Sequence, residues 1–246
     1  IANGSNVRLI FCEETTWGTT PTSPVCRVLP FIREGLATGA DTFSSARFKQ
    51  DDRVVTDIKR GNKKIGGPID FELDLSFHRL FKHALGSAST TGSGPYIHVI
   101  KGRSALPAGL SIEKGFTDVA KYLVYRGLRV DALSLKFPQE GYITGTLNFL
   151  GRYEGGGTGS GSGLGSGASI SASPIDESGI PFTSYEAVVQ EGGSTIGVVI
   201  EAELKIKNNL QTDGFVLGSD SRVSAVEGIR EVTGKLTILF EDSTYY

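Results

Sequence analysis

Three histidines, two cysteines and a scatter of carboxylates are the residues whose types could do chemistry in this chain. His78 and His83 lie five apart in a stretch that reads as helix, so they fall on different faces and cannot chelate one metal together. With His98 they read as surface or helix-end histidines. Cys12 and Cys26 stand at the ends of two expected strands and can pair geometrically. Two reduced, packed thiols are the favoured reading, because the segment Ile1–Ile10 has no signal-peptide hydrophobic region. Glu201 and Glu203, two apart, are same-face neighbours on a strand, an arrangement a glycosidase uses but an exposed sheet face carries routinely. Gly-x-Ser-x-Gly, Walker and His-Glu-x-x-His sequences are all absent. Gly163-x-Gly165-x-x-Ala168 matches a dinucleotide fingerprint in form only, since no strand is expected before it and no helix after it. Trp17 reads as a loop aromatic packed over a sheet end in preference to a ligand platform. Asn3-Gly-Ser5 has the form of a glycosylation acceptor, which matters only in a secreted eukaryotic chain. No catalysis, metal or cofactor is expected.

The elements that would position these groups are mostly strands. The 246 residues have 39 % hydrophobic and 21 % charged side chains and a net charge of -2, which excludes wholesale disorder. No apolar run approaches the roughly 18 residues of a membrane span. The absence of methionine implies that the initiating residue was processed or trimmed. The 33 glycines are roughly twice the usual share, as a turn-rich β protein with a flexible tract requires. That tract is 155–167, eight glycines in thirteen residues, expected to behave as a coil spanning roughly 20 Å.

Period-two alternation marks the best strands. Val198, Ile200, Ala202, Leu204 and Ile206 alternate with Val199, Glu201, Glu203, Lys205 and Lys207. Val232, Leu236, Ile238 and Phe240 alternate with Glu231, Thr233, Lys235 and Thr237, with Gly234 on the apolar face. Ile143, Leu147 and Phe149 alternate with Tyr142, Thr144, Thr146 and Asn148. Each pattern predicts a half-buried antiparallel strand. The Phe137–Tyr142 segment predicts a hairpin turn joining 128–137 to 142–150, and further strands are expected at 6–12, 25–31, 68–75, 95–101, 109–114 and 121–126. One amphipathic helix is expected at about 76–86, with Ser76 as N-cap, Phe77, Leu80, Phe81, Ala84 and Leu85 on one face, and Gly86 closing it. The expected fold is therefore mainly β: an antiparallel sandwich or barrel of two packed sheets with one short flanking helix, forming a single domain over 1–246.

Charge is segregated. Residues 47–64 carry seven bases (Arg47, Lys49, Arg53, Lys59, Arg60, Lys63, Lys64) against three acids, whereas residues 186–246 carry ten acids against five bases. A solvated loop beside an acidic surface is one reading; attraction between one end of a copy and the opposite end of the next is the other. A nucleic-acid grip ranks behind both, because the basic segment lacks interleaved aromatics and the chain is acidic overall.

The segment Cys12-Glu-Glu-Thr-Thr-Trp-Gly-Thr-Thr-Pro-Thr-Ser-Pro24 resembles the opening of siphophage tail tube proteins, also called major tail proteins. The resemblance continues through Gly66-Gly-Pro-Ile-Asp-Phe-Glu-Leu-Asp-Leu75 with the helix after it, and through Gly127-Leu-Arg-Val-Asp-Ala-Leu-Ser-Leu135 with its hairpin to Gly151. It ends in Leu204-Lys-Ile-Lys-Asn-Asn-Leu210, Gly218-Ser and Val232-Thr-Gly-Lys-Leu-Thr-Ile-Leu-Phe-Glu-Asp242. It implies a structural subunit that forms rings, usually of six, whose strands join into one β-barrel around a lumen. Stacked rings would make the tube through which the genome passes. The implied partners are other copies of the chain, a tape measure protein, a terminator protein, and double-stranded DNA that passes without specific binding; no membrane is involved. The implied location is the virion tail, with assembly in the bacterial host cytoplasm.

On this reading the lumen candidates are Thr144, Thr146, Asn148, Glu201, Glu203, Lys205, Thr233, Lys235 and Thr237. The candidates for contacts between rings or subunits are the seven bases of 47–64 together with Glu13, Glu14 and Trp17. The alternative is a carbohydrate- or protein-binding β-sandwich module with Trp17 in its platform; a hydrolase using surface carboxylates comes after it.

Overall fold

The computed structural model of the chain describes residues 4–46, 57–103, 105–156, 168–195 and 199–239. In chain order its strands are β1 (Val7–Glu14), β2 (Arg27–Val28), β3 (Arg33–Glu34), β4 (Ala37–Ser44), β5 (Ile58–Glu72), β6 (Gly86–Thr91), β7 (Ile97–Gly102) and β8 (Gly109–Phe116). These are followed by β9 (Lys121–Phe137), β10 (Thr144–Gly151), β11 (Tyr153–Gly156), β12 (Gln190–Glu191), β13 (Ser194–Thr195), β14 (Val199–Lys207) and β15 (Glu231–Ile238). The helix α1 spans His78–Leu85.

The fold is mainly β and antiparallel with one short α-helix, as the alternation predicts. Its two expected sheets are halves of one 11-stranded sheet, and they do not close into a barrel within the chain. The shared element is β9. Its N-terminal half pairs with β8 and β11, and its C-terminal half with β10 and β14. Gly127 stands at the junction with φ +66°, and a Cβ there would lie 2.7 Å from the Cβ of Arg152 and 3.0 Å from Nε1 of Trp17. Only glycine fits that position without displacing both neighbours. The two strands expected at 121–126 and 128–137 are therefore one strand, bent at a glycine.

One half of the sheet runs β2-β1-β8-β9, and the other runs β15-β14-β9-β10-β5 with β3 and β4 along the far side of β5. Leu9 and Phe11 of β1, Leu110 and Ile112 of β8, Ile69 and Phe71 of β5, and Leu147 and Phe149 of β10 share one core with Leu80 and Ala84 of α1. Phe71 stacks on Phe77 at a centroid distance of 4.0 Å, seating the start of the helix on the sheet.

The helix begins later than expected. Asp74, not Ser76, caps the preceding turn, accepting from the backbone N–H of Ser76 at 2.7 Å, and α1 starts at His78. Gly86 ends it in the left-handed conformation, as its position predicts.

Three further differences have physical causes. The basic stretch expected as a loop is partly strand: residues 58–64 belong to β5 and pair with β4 in a ribbon exposed on both faces. Such a ribbon has no apolar period to read. Gly155 and Gly156, expected to open the flexible tract, instead pair with Val124 and Leu123 of β9 through their backbones. The strand expected at 25–31 shrinks to β2. The rest of the Gly/Ser tract, 157–167, lies outside the described residues, as do Arg47, Lys49, Arg53, Val198 and Phe240.

Candidate channel face and subunit interfaces

Register across the second half-sheet decides which side chains share a face. Thr144 of β10 stands opposite Glu72 of β5 and Lys136 of β9; Lys136 stands opposite Glu203 of β14, and Glu203 opposite Lys235 of β15. The next row reads Asp70, Thr146, Ser134, Lys205, Thr233. Glu201 pairs with Thr237, and Asn148 continues the face along β10. Directly opposed residues of an antiparallel pair project to the same side. All nine lumen candidates therefore lie on one polar face, and six of them (Thr144, Thr146, Glu203, Lys205, Thr233 and Lys235) line an open hollow that runs from Arg33 to Lys235. On that face Arg33, Lys136, Lys205 and Lys235 balance Asp70, Glu72, Glu201 and Glu203. Arg33 pairs with Asp70 at 2.8 Å, and the Thr146 hydroxyl donates to the same carboxylate.

The opposite face of these strands is apolar, and its cover runs out at β15. Ala202 and Ile206 of β14 are buried, yet Val232 is 60 % and Leu236 48 % exposed on β15. Strand β15 pairs with β14 alone, so its outer backbone edge is open among the described residues. On the opposite flank, among the described residues, β3 and β4 each pair only with β5.

The N-terminal loop is tied inward. Trp17 donates from Nε1 to the Gly127 carbonyl at 2.8 Å, and the guanidinium of Arg152 lies 5.4 Å over its ring. It packs over the bend of the sheet at Gly127, not over a sheet end, and does not form a free platform. Glu14 is 5 % exposed; one carboxylate oxygen accepts from the Gly18 N–H at 2.6 Å, the other from the Ser111 hydroxyl at 2.7 Å and the Gly127 N–H at 2.8 Å. It fixes the loop to β8 and β9 and presents no carboxylate outward.

Glu13 faces the helix, accepting from Lys82 Nζ at 2.6 Å with His83 Nε2 at 3.8 Å. His83 is only 3 % exposed, which corrects the surface reading: it lies in the last turn of α1 with the Glu13 side chain of β1 beside it. The contact at 3.8 Å is ionic in range and too long for a hydrogen bond. The nearby His83 imidazole, followed by Lys82, lowers the Glu13 pKa from 4.5 to about 2. A carboxyl whose folded value lies below its unfolded value stabilises fully above the unfolded one and loses that stabilisation as pH falls through the folded one. Wild-type stability should therefore drop between about pH 4.5 and 2, and Glu13→Gln should flatten that part of the thermal-stability profile while lowering stability at neutral pH.

Of the basic ribbon, Lys63 bonds Asp220 at 2.6 Å and Lys64 bonds Asp41 at 2.7 Å, whereas Lys59 and Arg60 are exposed with no ion pair among the described residues. His78 and His98, distant in sequence, stack at 4.2 Å. No cluster of three or more His, Cys, Asp or Glu side chains able to hold a metal occurs among the described residues.

The family of phage tail tube proteins matches this chain over residues 4–246. The chain belongs to that family. No curated protein matches it. As a tail tube protein it is a structural, non-enzymatic subunit that self-assembles into a tube in the virion tail. That displaces the sandwich-module and hydrolase alternatives and agrees with the inward binding of Trp17. No helix among the described residues is long and apolar enough to cross a membrane.

Glu14, a contact candidate in the sequence, is instead a buried internal support, and Glu113 is a second buried support that sequence reasoning did not name. Glu113 accepts from the Ser169 hydroxyl at 2.6 Å and the Ile170 N–H at 2.7 Å, anchoring the tail tube subunit's chain where it returns from the Gly/Ser tract. The alternation Leu110-Ser-Ile-Glu113 turns Glu113 to the face opposite Leu110 and Ile112, so it gave no signal that this carboxylate is buried.

Proposed function

We propose that copies of this tail tube protein join side by side, the β15 edge of one meeting the β3–β4 flank of the next, into closed rings of six. The observation that carries this reading is β15 itself, an eight-residue edge strand with an uncovered apolar face. Such an edge is an aggregation liability unless a partner strand completes it. Joining two different surfaces head to tail closes into a ring when the rotation fits. The nine-residue polar face then lines a channel. With equal numbers of bases and acids, it offers a passing DNA duplex no phosphate-binding stripe, so the genome moves through during ejection without specific binding.

Rings stack through Lys59 and Arg60 of the basic ribbon, together with Arg47, Lys49 and Arg53 that precede them in sequence, against the acid-rich segment of residues 186–246, with the loop of Trp17 close by. The particle is a siphovirus. Its subunits assemble in the host cytoplasm around a tape measure protein and are closed by a terminator. Because Lys63 and Lys64 hold Asp220 and Asp41 within the chain, the clean test reverses only the other two charges. Lys59→Glu with Arg60→Glu should leave melting within about 2 °C of wild type, as befits exposed sites, and should leave single rings that do not elongate. Full-length tubes from this variant, seen by negative-stain microscopy, would refute the stacking role.

A further inference from the structure

We propose that Cys12 and Cys26 form an oxidation site, closing into a disulfide that locks the base of the Trp17 loop. The register supplies the geometry. Ile10 pairs with Val28 and Phe11 with Arg27, so the next antiparallel pair in the series is Cys12 with Cys26. Leu29 N–H donates to the Leu9 carbonyl, which makes the 9/29 pair hydrogen-bonded and, by alternation, the 12/26 pair non-hydrogen-bonded. The Cys26 carbonyl agrees, since it points away from β1 and accepts from the Ile175 N–H. Non-hydrogen-bonded pairs hold Cα atoms at about 4.5 Å, inside the range a disulfide spans. Both thiols are free, buried and in one small cluster with Ile10, under the partly buried Ile170.

The chemistry is asymmetric. The Cys12 thiol donates to Cys26, which lowers the Cys26 pKa and, with burial, raises that of Cys12. Cys26 is thus the more readily ionised of the two. With a peroxide as oxidant, the Cys26 sulfur attacks one peroxide oxygen and the O–O bond breaks, giving a sulfenic acid and hydroxide, which takes up a proton to form water. The Cys12 sulfur then attacks the Cys26 sulfur as the S–O bond breaks, and the departing hydroxide takes the Cys12 proton to leave as a second water while the S–S bond forms. Two thiols have lost two electrons to one peroxide. The loop held at its base contains Glu13, Glu14 and Trp17, so the bond would brace the same segment that Glu14 fixes from above.

These are the chain's only two cysteines, so the products are readily assigned. The test treats the full chain with hydrogen peroxide or with dithiothreitol, alkylates after denaturation, and weighs it intact. The peroxide sample should be lighter by two hydrogens before alkylation, should take up no alkyl group, and should yield one peptide linking residues 12 and 26. It should also melt higher and resist cleavage between residues 13 and 25. Cys12→Ser should lose the bond and leave Cys26 as a sulfenic or sulfinic acid. The proposal is overturned if the oxidised wild type still takes up two alkyl groups, links between chains, or carries a sulfinic Cys26 beside a free Cys12.

Discussion

A subunit carrying Val232→Lys and Leu236→Lys will fold as the wild type does and will form neither rings nor tubes. In the isolated chain both side chains are exposed on β15, Val232 by 60 % and Leu236 by 48 %, so replacing them changes stability by no more than about 1 kcal/mol each. In the proposed ring the same two positions are covered by the next copy. Two ammonium groups would then be buried without partners, at a cost of several kcal/mol apiece, repeated at every junction. Sedimentation should show a single small species at concentrations where wild type pellets. Thr233→Lys with Thr237→Lys, on the opposite face of the strand, should leave assembly intact because that face looks into the channel. If the apolar-face variant still forms tubes, β15 is not the junction.

Glu14→Ala should produce the largest loss of stability of any single change in the loop. It removes a buried acceptor from the Gly18 and Gly127 N–H groups and from the Ser111 hydroxyl. Each stranded backbone donor costs about 1–3 kcal/mol, so the total is about 3–5 kcal/mol. A domain of this size loses about 2–4 °C per kcal/mol, which puts the drop in melting temperature on the order of 10 °C. Glu14→Gln keeps one acceptor oxygen but turns an amide toward N–H groups, and should fall between the two. A melting temperature for Glu14→Ala within about 2 °C of wild type would show that the loop stands without its carboxylate.

Strands β10, β14 and β15 were readable because one side of each is apolar and the other polar, and burial writes that difference into the sequence with period two. The same alternation, taken with strand register, identified the nine side chains that share a face, although it could not show that β15 lacks a cover. The β4–β5 ribbon was hidden because neither face is buried, so Lys59, Arg60, Lys63 and Lys64 look like loop residues while pairing as a strand. The hairpin of β6 and β7 was half hidden for a related reason: Gly86-Ser-Ala-Ser-Thr-Thr91 has too little apolar surface to announce a strand. Burial of His83, Glu14 and Glu113 depends on what packs from distant parts of the chain, and polar side chains do not signal it by type.

The account rests on β15 being completed by another copy with the polar face turned inward. Electron cryomicroscopy of the particles formed by the purified chain tests this directly. It should show hollow rings or tubes in which β15 pairs across the subunit boundary and Thr144, Glu203, Lys205 and Lys235 line the bore. A map with β15 covered by its own chain, or with those four side chains on the outer surface, would contradict it.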